Sequence, residues 1–232
     1  MRTSSPTCCD QDDATLKLQD ALTHSSTKFP AILLFGMPGV GKGTQGTLLG
    51  TMRGVRHVST GAIFRALDRN SDEGREVFSR IDHGKLVPDE SAIRIWRHWV
   101  DDQVALSQYD PSREVLLLDG LPRSRRQCEL LEEHIDVLCV IHLECEQIDP
   151  LIARLMQRGQ GRADDSDEGV IRRRFDIYRQ TTHPVLAYYP TSVVFSIDPI
   201  GSVMQIKKRI MEVVIPILNA RGVLISEDET AA

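Results

Sequence analysis

Ala31-Ile32-Leu33-Leu34-Phe35, then Gly36-Met37-Pro38-Gly39-Val40-Gly41-Lys42-Gly43-Thr44, then Gln45-Gly46-Thr47-Leu48-Leu49 run without a break. Five uninterrupted apolar residues read as a buried β-strand. The final five open a helix with an apolar pair in its first turn. Between strand and helix, Gly-x4-Gly-Lys has the context in which it means a phosphate cradle. Glycines let the backbone curl so that successive N–H groups converge on an anion, and the helix N-terminus adds its positive dipole end. Lys42 supplies a mobile positive charge for terminal phosphates. By composition alone Gly-x4-Gly-Lys arises in about one chain in fifteen of this length. The preceding strand, Pro38 and Thr44 make an incidental glycine turn a poor account. This stretch predicts a nucleoside triphosphate site.

The surrounding chain is compatible with that prediction. Its 232 residues suit one α/β domain with small insertions, and 41% hydrophobic with 26% charged residues is an ordinary globular composition. A net charge of −5 disfavours a nucleic-acid or anionic-membrane partner. Basic residues concentrate instead between Arg154 and Arg174. No stretch approaches the roughly 20 apolar residues that a bilayer requires. The first residues lack the apolar core of a secretion signal, and Asp10, Asp12 and Asp13 argue against a transit peptide. The expectation is a cytoplasmic protein. Five cysteines without a Cys-x2-Cys pair indicate neither a disulfide framework nor a zinc site. Cys139 and Cys145 read as core or strand-end thiols.

Residues 1–28 read as an N-terminal extension. Ala14, Leu18, Ala21 and Leu22 would allow one short helix, but a frayed tail is the preferred reading. Residues 223–232 read as an acidic tail. Between these ends, apolar runs at 31–35, 55–58, 115–118, 137–141 and 193–195 alternate with helical periodicity at 89–107, 124–134, 148–158, 168–182 and 202–219. This alternation predicts an α/β fold with a five-stranded parallel sheet buried by helices on both faces. Ligands of such sheets sit at the carboxyl ends of the strands. Polar groups follow directly there: Gly36 onward, then Ser59-Thr60 with one of the two as helix cap, then Asp119-Gly120.

Five segments, in order, carry a resemblance: GMPGVGKGTQ from Gly36, HVSTGAIFRA from His57, GKLVPDE from Gly84, LLLDGLPRSRRQ from Leu116 and GRADD from Gly161. Together they resemble the adenylate kinase family of nucleoside monophosphate kinases, over residues 31 to about 219. The resemblance implies a three-layer P-loop fold spanning 29–222, with an acceptor-binding insert at about 59–88 and a short lid at about 157–168. It implies ATP and AMP as substrates, Mg²⁺ as cofactor, no zinc, and a monomer. Gly39, Val40, Gly41, Lys42, Gly43 and Thr44 would wrap the ATP phosphates. Arg154 would stack on the donor adenine and Gly201 would meet it through backbone. Thr60, Arg65, Lys85, Leu86, Val87, Gly120, Leu121, Pro122, Arg123 and Gln127 would line the acceptor site. Arg158 would touch ATP phosphates, while Arg162 and Arg174 bridge toward the acceptor. Lys42, Arg123, Arg158, Arg162 and Arg174 form the implied catalytic set, and Asp119 would hold the waters around Mg²⁺.

A reading of these residues from elementary chemistry is consistent with that reaction. Phosphorylating a nucleotide needs no general base, because the attacking phosphate oxygen is already ionised. Catalysis reduces to holding two polyanions together and offsetting their repulsion. Arginine suits this work, since its planar fork grips phosphate and keeps its proton. Arg172 and Arg173 read instead as a solvated helix face. Gln127 offers both a donor and an acceptor to an adenine edge, which favours AMP over a pyrimidine acceptor. Asp164 and Asp165 would latch a closed lid. Three departures from the family pattern bear on the acceptor: Ala62 in place of Asp, Leu121 in place of Phe, and an added Gly169 before the helix that carries Arg174. Two alternatives fit the same residues. One is a UMP, CMP or other nucleoside monophosphate kinase. The other is a catalytically weak nucleotide-binding protein that docks through its N-terminal extension.

Overall fold

The computed structural model describes residues 28–158 and 167–223. The 1–27 extension, residues 159–166 of the expected lid and the tail from 224 lie outside the described residues.

β1 (Phe29–Gly36) is buried along all eight residues, as an uninterrupted apolar run demands at the centre of a two-faced sheet. β3 (Val115–Asp119) pairs with it on one side and β4 (Ile135–Leu143) on the other, both parallel. β2 (Val55–Ser59) and β5 (Val194–Ile197) complete the order β2-β3-β1-β4-β5. All five strands are parallel, as their spacing with intervening helices predicts. The register aligns the functional ends: Leu34 is opposite Asp119, and Ser59 is opposite Asp119 from the other edge.

Side-chain alternation divides β1 between two cores. Ala31, Leu33 and Phe35 join a core with Trp96, Val100 and Leu131. That core is supplied by α4 (Asp89–Ala105) and α5 (Arg125–Leu131). Ile32 and Leu34 face the opposite core with Leu49, Leu155, Phe175, Ile210 and Val214. Those residues come from α1 (Lys42–Leu49), α6 (Asp149–Arg158), α7 (Glu168–Ile177) and α8 (Val203–Ala220). Two short helices, α2 (Thr60–Ala66) and α3 (Asp72–Ile81), lie between β2 and α4.

Two local expectations need correction. The helical periodicity over 168–182 continues past α7, but Tyr178–Thr182 winds as a π-turn before a 3₁₀ segment at His183–Tyr188. Ser59 stands at the N-cap of α2, yet neither it nor Thr60 caps the helix through a side chain. The Thr60 hydroxyl donates instead to the Asp119 carbonyl at 3.0 Å, joining the ends of two adjacent strands. Cys139 on β4 is fully buried, and burial pushes its thiol up to about 12, as a core thiol requires.

Candidate active site

The glycine turn after β1 has the conformations its sequence demands. Gly36, Gly39 and Gly41 have φ of 147°, 81° and 111°, a region that L-residues avoid. A Cβ on Gly36 would stand 2.8 Å from Val40 Cγ1 and 2.9 Å from the Leu143 carbonyl oxygen, so only glycine fits. Gly41 in the left-handed conformation starts α1, aiming the first N–H groups of the helix into the open cavity above. Lys42 Nζ donates to the carbonyls of Gly36 at 2.6 Å and Met37 at 3.0 Å. The ammonium is thereby held over the mouth of the loop.

Two cavities meet at this point. One lies over the loop and is lined by Gly39, Gly41, Gly43, Thr44, Asp119 and Arg154. The other runs beneath α2 and α4, lined by Lys85, Leu86, Val87, Gly120, Leu121, Pro122 and Gln127. Lys42, Arg65, Arg123 and Arg174 line both. Four cations from β1–α1, α2, the β3–α5 loop and α7 therefore converge on the junction. Arg123 is oriented by its Nε, which donates to the Gly120 carbonyl at 2.8 Å. Despite the added Gly169, Arg174 reaches the junction. Its stem packs where a Cβ on Gly84 would fall, 3.1 Å from Arg174 Cγ.

Asp119 presents its carboxylate to the loop cavity, with Oδ2 3.8 Å from where a Cβ on Gly43 would stand. Among the described residues no hydrogen bond or ion pair engages that carboxylate. No group of three or more metal-ligating side chains occurs among them either. One carboxylate beside a phosphate cradle fits Mg²⁺, which keeps several waters and takes other ligands from substrate phosphates.

The other expected site residues differ in how they meet the two cavities. Thr60 is 2% exposed and pads the back of Gly120; because its hydroxyl donates to the Asp119 carbonyl, its oxygen retains only acceptor capacity. Gln127, also 2% exposed, has both amide ends engaged by protein. Its Oε1 accepts from the Arg123 backbone N–H at 2.6 Å, and its Nε2 donates to Asp89 Oδ1 at 2.9 Å. Val40 is buried and lines neither cavity. Gly201 lies in the turn after β5 with φ 128°, and also lines neither. Arg158 ends α6. Arg162, Asp164 and Asp165 lie outside the described residues. Arg172 and Arg173 are both exposed, as the solvated reading expects, and Arg172 pairs with Glu168; Arg173 makes one contact besides. Its Nη1 donates to the His83 carbonyl at 3.0 Å, tying α7 to the turn after α3.

Sequence reasoning missed Asp89, Tyr178 and Thr182. Tyr178 and Thr182 line the inner cavity, and the Thr182 hydroxyl donates to the Arg123 carbonyl at 3.1 Å. The two are four residues apart and so share one side of the turn, but their place against the cavity depends on how the segment packs rather than on its periodicity. Behind them the Tyr178 hydroxyl lies 3.1 Å from His142 Nε2. Burial pushes the His142 imidazole below the ordinary histidine value, against a smaller opposing pull from Glu144.

The amino-acid sequence is similar to those of known proteins. The family model described as adenylate kinase matches residues 34–194. The chain belongs to the adenylate kinase family. It is 36% identical over 192 residues to an adenylate kinase of Flavobacterium psychrophilum, covering 79% of this chain and 97% of that relative. An adenylate kinase of Kocuria rhizophila is 39% identical over 188 residues, 78% of this chain and 96% of the relative. One from Clavibacter michiganensis is 35% identical over 206 residues, 85% and 96% respectively.

Proposed function

We propose that this chain transfers a phosphoryl group reversibly from ATP to AMP, giving two ADP. The observation that carries the reading is the convergence of Lys42, Arg65, Arg123 and Arg174 on the boundary shared by two cavities. One cavity has a phosphate cradle, and the other ends on a buried amide. ATP phosphates rest on the backbone N–H groups from Gly39 to Thr44, with Arg154 against the donor base. AMP occupies the inner cavity between Lys85–Val87 and Gly120–Arg123, its base toward Gln127. An oxygen of the AMP phosphate attacks the γ-phosphorus. The new P–O bond forms as the bond to the β,γ-bridging oxygen breaks, and that electron pair leaves with ADP. Both nucleotides are anions throughout, so the guanidinium groups do their work by offsetting repulsion and charge at the transferring group. Arg158 and Arg162 from the 157–168 segment add to this set in the same reading, and closure of that segment would exclude water. Mg²⁺, when bound, would neutralise donor phosphate charge, with Asp119 holding its water shell.

The same reading makes the enzyme a cytoplasmic monomer. Among the described residues no helix is long and apolar enough to cross a membrane. A coupled assay with ATP, Mg²⁺ and a panel of monophosphates tests the assignment. ADP formation should be fastest with AMP. A preference for UMP or CMP, or ATP binding without ADP formation from any monophosphate, overturns it.

A further inference from the structure

Asp89 opens α4 and lies 38 residues from Gln127 in sequence, yet the two side chains are bonded. Asp89 Oδ1 accepts from both the Ser124 hydroxyl and Gln127 Nε2, each at 2.9 Å. On the other side, Gln127 Oε1 accepts from the Arg123 backbone N–H at 2.6 Å. An amide's oxygen and nitrogen have nearly the same shape, so their order is set by the partners around them. Here the partners leave one answer. A carboxylate only accepts, and a backbone N–H only donates. Rotating the amide by 180° would set oxygen against carboxylate and N–H against N–H. Each partner uses one of the amide's sites, leaving one Nε2 hydrogen and one Oε1 lone pair for the inner cavity that Gln127 lines. Their order is fixed by protein before any nucleotide arrives.

That order matters because purine edges differ in it. Adenine presents an acceptor at N1 and a donor at N6. Hypoxanthine and guanine present the reverse, a donor at N1–H and an acceptor at O6. An amide free to rotate serves either edge. A locked amide serves one, and a base of the other kind leaves buried groups opposed and unpaired, which costs far more than the net worth of a satisfied bond. We propose that Asp89 is a positioning residue that, together with the Arg123 backbone N–H, fixes the sense of the Gln127 amide and so strengthens the enzyme's preference for adenine over 6-oxopurine monophosphates. The proposal rests on the inner cavity being the AMP site.

Inosine monophosphate is the suitable probe, because it carries the reversed edge without guanine's 2-amino group. The measurement is kcat/KM for AMP and for inosine monophosphate in the wild type, Asp89→Asn and Ser124→Ala. Asparagine keeps the shape but can face Gln127 with either its oxygen or its amide nitrogen, so that the Arg123 backbone N–H alone still opposes the reversed amide. The AMP/IMP ratio should fall at least about tenfold in Asp89→Asn, with KM for ATP unchanged. In Ser124→Ala, which leaves the Asp89–Gln127 bond in place, the ratio should hold. Asp89→Ser removes the carboxylate by another route, should lower the ratio likewise, and serves if the asparagine variant does not fold. Equal losses toward both monophosphates, with the ratio preserved, would mean a purely structural Asp89 and overturn the proposal. A wild type that fails to phosphorylate AMP would instead remove the reading of the cavity itself.

Discussion

At the residue scale, Arg123 carries the heaviest demand. Its guanidinium is held by the Gly120 carbonyl at the boundary of both cavities, where the proposed transfer would build charge. Arg123→Ala should lower kcat by roughly 10³ or more, the effect expected of a transition-state arginine. A coupled ADP assay checks this, and a loss under tenfold would take Arg123 out of the phosphate junction. Gln127→Ala belongs to the same scale and should weaken discrimination among bases while leaving kcat for AMP nearly intact. Two histidines give a pH signature. Burial pushes His57 and His142 below the usual histidine value, while in the unfolded chain they titrate near about 6.5. A depressed folded value means that the stabilising contribution is full above about 6.5 and is lost as pH falls through the folded values. Denaturant unfolding between pH 7.5 and 5 should therefore show a declining free energy. The decline should be shallower in a His57→Gln/His142→Gln double variant. Equal slopes would mean that neither imidazole is held neutral by the fold.

The element scale shows how the phosphate helix is anchored. α1 turns its glycine face to β2, where Gly46 leaves room for the His57 ring. A Cβ there would lie 2.3 Å from His57 Nε2. Gly46→Ala should accordingly destabilise the fold by about 1–3 kcal/mol despite alanine's better helix propensity. Adding His57→Ala removes the opposing ring. The double variant should then be more stable than the two separate losses predict, by about 0.5–3 kcal/mol of coupling. Thermal or denaturant unfolding of the four proteins measures it, and simple additivity would mean that the ring swings aside without cost. Helix and strand boundaries were legible at this scale because apolar period and glycine placement are local properties. The strand runs and the helices at 89–105, 149–158 and 203–220 stand where their periodicity puts them. The π-turn at Tyr178–Thr182 was not legible, since it shifts the helical phase by one residue without a marker residue.

At the scale of the whole molecule, two cavities with one shared rim imply a ligand that fills both. A diadenosine polyphosphate long enough to reach from the inner cavity to the loop cavity should bind one per chain. At 100 times its Kd it should raise stability by about 2.7 kcal/mol. Calorimetry and thermal unfolding test this, and a stoichiometry of two, or binding no tighter than ATP alone, would contradict a continuous site. The sequence by itself determined the phosphate loop, because Gly36, Gly39 and Gly41 adopt their backbone angles for reasons confined to the loop and its flanks. It also determined the α/β class, since near-continuous apolar strands need cover on two faces. Only the tertiary structure decided that Arg65, Arg123 and Arg174 share one rim, that Thr60 turns its hydroxyl to Asp119, and that Asp89 grips Gln127. Those outcomes depend on strand order and on contacts between residues tens of positions apart. Such proximity arises from packing the sheet and its helices together, and no local pattern of residues encodes it.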